Sequence, residues 1–313
     1  NWTGDVSTVA DVNDPATTVT IHGDYTLQAN FAIDTLMLTT SSSAGGTVTA
    51  PGEGSFTFDY GTSVSLIATA STNYHFVEWT GPVADASSTN TTVAVNGYTA
   101  VKAIFAIDKH ALIASSTTGG SVTTPGEGTS MYDYGTTLNL VATPDTHYHF
   151  VNWTGPVADA ASATTTVTIN GAMPVAAVFA IDEHTLTTAS TTGGSVTTPG
   201  EDTSRYEYDS TVKLVATAQT GYHFVNWTGD VSTVADVNDP ATTVTIRDDY
   251  TLQASFAIDT LMLTTSSSAG GAVTAPGEDT NRYEYDSQVN LVATAQTGYH
   301  FVNWTGDVST VAD

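Results

Sequence analysis

The chain has 313 residues, no cysteine, and 32 acidic against 6 basic side chains, for a formal charge of −26. Disulfides, thiolate metal sites and thiol catalysis are therefore unavailable, and scattered single cations that cannot displace counterions argue against nucleic acid and anionic membranes as partners. With 40% hydrophobic residues and 26 glycines, among many Thr, Val and Ala, the chain can bury cores and has the alphabet of strands rather than helices.

No run of 18 apolar residues is present, so no membrane insertion is expected in this segment. The first residues also lack a basic, then apolar, then small-residue signal pattern, which reads as a mature or truncated chain.

Repeats decide the architecture. The segment NWTGDVSTVAD at 1–11 returns unchanged at 303–313, and the tryptophan within it recurs at Trp2, Trp79, Trp153, Trp227 and Trp304, at spacings of 77, 74, 74 and 77. A second marker, Phe-Ala-Ile-Asp, ends at Asp34, Asp108, Asp182 and Asp259. Cutting after it gives 1–34 as the C-terminal part of a repeat, complete repeats at 35–108, 109–182 and 183–259, and 260–313 as the N-terminal part of another. Residues 260–302 and 1–34 together amount to one 77-residue repeat. Residues 1–46 match 226–271 except at His22, Gly23 and Asn30, which points to recent duplication of a larger array.

Within a repeat the pattern is of strands parted by turn chemistry. In 183–259, Thr185 to Ser190 alternates, Gly193-Gly194 makes a turn, and Ser195 to Thr198 stops at Pro199-Gly200. Arg205 to Tyr208 carries aromatics, Val212, Leu214, Ala216 and Ala218 alternate, and Tyr222 to Trp227 follows. Thr243 to Ile246 and Tyr250 to Phe256 close the unit, giving six or seven strands. The loop after the tryptophan has two lengths, Gly155 to Thr166 being three residues shorter than Gly229 to Thr243, which marks it as a surface loop.

Gly221, Tyr222, Phe224, Trp227, Thr228 and Gly229, followed by Val244, Ile246, Ala254 and Phe256, form a pattern that resembles the divergent internalin B-type B-repeat family of bacterial surface proteins. The match runs repeat after repeat along the chain. The resemblance implies a small β-grasp-like domain in tandem arrays on secreted or cell-surface proteins, with no defined ligand. Asn73 and His147 replace the first glycine of the motif in two copies. The fold expected is therefore all-β, β-grasp-like without a clear helix, as a tandem array of domains of about 75 residues forming an elongated rod.

Tyr222 and Phe224, two apart on one strand face, read as core with the five tryptophans, Trp2, Trp79, Trp153, Trp227 and Trp304, as the anchor of each unit; the rival reading is an aromatic platform for sugars. Between them His75, His149, His223 and His300 point to the opposite face, toward solvent or a neighbouring unit, too far apart to form a metal array. Asp230, Asp236, Asn238 and Asp239 offer hard oxygens for Ca2+ without the regular D-x-D-x-D-G pattern, and the same letters are ordinary turn chemistry. Asn90, Asn152 and Asn226 open Asn-x-Thr sequons, candidate glycosylation positions in an exported protein.

Every Ser, His and Asp belongs to a motif copied along the chain, so no unique catalytic constellation stands out and no enzyme is expected. The expected function is structural and extracellular or at the cell surface: a stalk, filament or adhesin shaft whose partner is itself, read from a window of a longer chain or from head-to-tail subunits. The alternative is an adhesin module binding carbohydrate or a host-surface ligand.

Overall fold

A computed structural model describes residues 1–307; residues 308–313, the end of the expected part-repeat 260–313, lie outside the described residues. The chain separates into two compact units, one of residues 1–117, 121–143 and 152–178, the other of residues 118–120, 144–151 and 179 onward. Among the described residues, helix is confined to two three-residue 3-10 turns, Val6–Thr8 and Val231–Thr233, both in the long form of the post-tryptophan loop. Everything else that is regular is strand.

Residues 1–34 hold β1 (Trp2–Gly4) and β2 (Leu27–Ala29), antiparallel with Trp2 opposite Ala29. Repeat 35–108 holds seven strands: β3 (Thr35–Ser42), β4 (Gly46–Ala50), β5 (Gly54–Asp59), β6 (Thr62–Ala70), β7 (Tyr74–Thr80), β8 (Asn90–Val95) and β9 (Thr99–Ile107). Repeat 109–182 continues with β10 (Lys109–Ser116), β11 (Gly120–Thr124), β12 (Gly128–Asp133), β13 (Thr137–Pro144), β14 (Tyr148–Thr154), β15 (Thr164–Thr168) and β16 (Met173–Ile181). Repeat 183–259 has β17 (Glu183–Ser190), β18 (Gly194–Thr198), β19 (Thr203–Glu207), β20 (Thr211–Ala218), β21 (Tyr222–Gly229), β22 (Ala241–Thr245) and β23 (Tyr250–Ile258). The last part-repeat has β24 (Thr260–Thr265), β25 (Gly271–Ala275), β26 (Asp279–Glu284) and β27 (Val292–Ala295).

In repeat 183–259 the strands form a four-stranded sheet in the order β19-β17-β23-β21 and a three-stranded sheet β18-β20-β22. The first and last strands, β17 and β23, lie side by side and parallel, Leu186 opposite Tyr250, while β19 and β21 flank them antiparallel. A parallel central pair made of the first and last strands is the β-grasp arrangement, with the small sheet standing where a helix would cover it. Repeat 35–108 has the same order, β5-β3-β9-β7 and β4-β6-β8. In 109–182, β10 pairs antiparallel with β12 and parallel with β16, and β13 pairs with β15.

Period-2 alternation places the core. On β20, Val212, Leu214 and Ala216 are buried while Lys213 and Thr217 face out, and on β23 Tyr250, Leu252 and Ala254 are buried. These side chains meet Leu186, Val196, Val244, Ile246 and Trp227 in one cluster between the two sheets. Repeat 35–108 repeats the cluster with Leu38, Leu66, Val93, Val101 and Trp79. A side chain buried to this extent contributes about 1.5–3 kcal/mol relative to exposure.

Tight turns close the strands on each other. Gly193 has φ +101, and a Cβ there would come within 2.1 Å of the Tyr222 ring, while one on Gly194 would meet the Phe256 ring at 2.3 Å. The Pro-Gly-Glu turns have cis prolines at Pro51, Pro125, Pro199 and Pro276. Each is tied down by its glutamate: Glu53, Glu127, Glu201 and Glu278 accept a hydrogen bond from the backbone N–H of Val48, Val122, Val196 and Val273 at 3.1, 3.1, 2.9 and 2.9 Å. Thr188 on β17 donates to the Gly200 carbonyl from the other side.

The part-repeats keep the same pairing with fewer strands. β24 pairs with β26 and β25 with β27. Tyr299 to Trp304 forms no strand, and Tyr299, Phe301 and Val302 are exposed. In the complete repeat this segment is held by the last strand, through the β21–β23 ladder.

Candidate functional site

The tryptophan is placed by a bulge. On β21 the register shifts between Phe224 and Asn226, so that Phe224 lies opposite Phe256 and Trp227 opposite Ala254. The extra residue changes parity, and Tyr222, Phe224 and Trp227 fall on one face although Trp227 is an odd number of residues on. Trp227 is 1% exposed, and Phe224 stands at 5.8 Å from both Trp227 and Phe256. Trp79 and Trp153 are equally buried, Trp2 and Trp304 half-buried. Trp79, Trp153 and Trp227 are packed inside and present no open ring face, whereas Tyr222 and Phe224 are half-buried.

Four of the five indole N–H groups also tie down the following loop. Trp227 Nε1 donates to the Asp239 carbonyl at 3.1 Å, Trp79 to Ser88 and Trp153 to Ser162 at 3.0 Å, and Trp2 to Asp14 at 3.1 Å. Both loop lengths thus return to the same anchor.

The carboxylates considered for Ca2+ are engaged separately with backbone N–H groups. Asp230 accepts from Thr251 N, Asp236 from Asn238 N and Asp239 from Ala241 N at 2.9, 2.8 and 2.8 Å. These bonds brace the loop, Asn238 acting through its backbone N–H alone, and among the described residues no group of three or more His, Cys, Asp or Glu is placed to hold a metal ion. Of the sequon asparagines, Asn90 is exposed at the start of β8, whereas Asn152 and Asn226 are half-buried within strands, Asn152 Nδ2 donating to the Trp153 carbonyl at 3.2 Å.

A functional feature that motif reading missed lies between repeats. Only one residue, Asp108, Asp182 or Asp259, separates the last strand of one repeat from the first of the next. Asp182 donates its N–H to the His147 carbonyl at 2.9 Å and accepts at its carbonyl from Tyr208 N at 2.8 Å. Its carboxylate accepts from His149 Nδ1 at 2.9 Å. The other junctions repeat this geometry, with Asn73, His75 and Tyr134 around Asp108, and Gly221, His223 and Tyr285 around Asp259. The histidines turned away from the core by strand parity thus find the linker carboxylate.

The residue opening the motif sits under the next repeat's tyrosine. Asn73, His147 and Gly221 have φ of 66°, 66° and 79°, so the turn is left-handed whichever residue fills it. His147 stacks on Tyr208 with ring centres 3.6 Å apart and planes 9° apart. At the third junction a Cβ on Gly221 would come within 2.2 Å of Tyr285. The glycine there lets the tyrosine ring lie directly on the backbone.

The family model described as the divergent InlB B-repeat domain matches residues 36–109, 110–183, 184–260 and 261–313. The chain belongs to this family. The B-repeats thus follow one another four times along the chain in an all-β tandem array. No curated protein matches the sequence. Among solved structures, a chain described as the Bacillus anthracis TIE protein is similar at 9% identity with a TM-score of 0.37, over 76% of this chain and 54% of that one. The B-repeat chain spans about half the length of that structure. Among the described residues no helix is long and apolar enough to cross a membrane.

Proposed function

We propose that this B-repeat array is the shaft of an extracellular stalk or filament at a cell surface, with a mechanical and non-catalytic role. The observation that carries the reading is the single-residue linker, whose N–H, C=O and carboxylate are all bonded to the repeats on either side. A linker held at three points cannot act as a free hinge, and stacking of one repeat on the next adds an interface that a 75-residue domain alone lacks. The acidic surface keeps neighbouring shafts apart in low salt. Contacts with further copies of the same repeat are the partners this reading assigns.

Small-angle scattering of the 313-residue chain tests it. A compact globule of this length has a radius of gyration of roughly 20 Å. A shaft gives a value well above that, unchanged by moderate salt. A value near the globular one sinks the reading.

The alternative, an adhesin module that binds carbohydrate or another surface ligand, draws on one observation, a cleft beside Asp182.

A further inference from the structure

The junction at Asp182 differs from its sisters in the side chains around it. A cleft of about 720 Å3 opens there, within the size range of small-molecule sites. Val151 and Ile181 give it apolar surface, and His149, His184 and Arg205 line it together with the carboxylates of Asp182 and Glu183. His149 uses Nδ1 on Asp182, which sets the ring orientation and leaves Nε2 for a ligand.

Arg205 makes no salt bridge among the described residues, although the Asp249 carboxylate, 3.8 Å from His184 Nδ1, lies near enough to feel its charge. Arg247, by contrast, bonds Asp209 at 3.1 Å and Lys109 bonds Asp133 at 2.6 Å. The nearest sequence relatives of the cleft are its own sister junctions. At the spacing of the repeats, Arg205 corresponds to Met131 and Arg282, and His184 to His110 and Leu261. Only the Asp182 junction has the histidine and the arginine together.

We propose that this cleft binds an acidic saccharide, a hexuronate unit of a polysaccharide, through its carboxylate on Arg205. The planar guanidinium matches a carboxylate in a two-bond fork. The sugar hydroxyls donate to Asp182 and Glu183 and accept from the imidazole N–H groups of His149 and His184, and the ring's C–H face rests on Val151 and Ile181. The mixture of charges selects this chemistry. The guanidinium offers a fork to one carboxylate, while the hydroxyls of the same ligand meet the Asp182 and Glu183 carboxylates as donors. The proposal adds a ligand to the shaft and does not depend on the shaft reading, which stands or falls by scattering.

The test is calorimetric titration of the full chain with tri-galacturonate at low salt, against maltotriose and acetate as controls. The expected result is binding of one trisaccharide per chain, no heat from maltotriose or acetate at the same concentrations, and weakening by tenfold or more in Arg205→Met and His184→Leu. Both substitutions place residues that sister repeats already carry at these positions, so the fold is retained, and an unchanged melting curve checks this. Arg282→Met, at the next junction, leaves binding as it was. No binding, binding of acetate or maltotriose equal to that of the uronate, three sites per chain, or full affinity in Arg205→Met would each overturn the proposal.

Discussion

At the scale of single residues, the tryptophan holds the most structure per side chain. Trp227 fills the space between the sheets at 1% exposure and also holds the loop through the Asp239 carbonyl. Trp227→Ala is expected to destabilise repeat 183–259 by about 3–5 kcal/mol, as large-to-small core changes do; thermal unfolding followed by near-UV circular dichroism reads it. Gly221 makes a second case. Its φ of 79° and the 2.2 Å approach of a would-be Cβ to Tyr285 both act against any side chain there. Gly221→Ala is expected to cost about 1–3 kcal/mol, seen as faster amide exchange at Tyr285, whereas His147→Gly relieves the same backbone strain but loses the ring stacking on Tyr208. The tryptophan's role was legible in its spacing, because an anchor repeated in identical context reads as core. The acceptance of Asn73 and His147 in a left-handed turn was not, since only the stacked or hydrogen-bonded surroundings make that conformation worth holding.

At the scale of elements, the Pro-Gly-Glu turns are hydrogen-bonded units with a pH dependence of known sign. The carboxyls of Glu53, Glu127, Glu201 and Glu278 lie below the usual glutamate value of 4.5, because a serine hydroxyl at or just past the end of the first strand and then a valine N–H bond the charged form. A carboxylate whose folded pKa is depressed adds stability that is complete above the unfolded value and fades as pH falls through the folded one. The loss therefore falls below pH 4.5, and solvent exposure keeps each contribution small. In Glu201→Gln the melting temperature of repeat 183–259 is expected to fall less between pH 6 and pH 3 than in the unsubstituted chain; an identical fall would show that this turn does not contribute. The turn was readable from Pro-Gly, while the reach of the glutamate to a valine five residues back goes with the bulge between Val196 and Thr198.

At the scale of the whole molecule, what matters is whether repeats act singly or together. Asp182 joins β16 to β17 with no spare residue, and its backbone bonds to His147 and Tyr208 reach into both flanking repeats. In such arrays stability is close to a sum of unit and nearest-neighbour terms. Insertion of three glycines after Asp182 breaks the Tyr208 contact and lengthens the linker, and is expected to split or broaden the calorimetric unfolding transition and lower its onset. An unchanged single transition would show that the junction does not couple its neighbours.

The sequence by itself determined the period, the absence of long helices, the inward and outward faces of each strand and the family, because all of these follow from local alternation and from letters repeated at fixed spacing. Tertiary structure decided the rest. Strand parity turned His149 away from the core, but only the sheet order brought it to Asp182, 33 positions on. Hard oxygens at Asp230, Asp236 and Asp239 looked alike as letters, yet each meets a different backbone N–H once the loop is anchored by Trp227. A bulge, a parallel pairing and a shared cleft join residues distant in the chain, and such partners are chosen by how the sheets close, which no local pattern encodes.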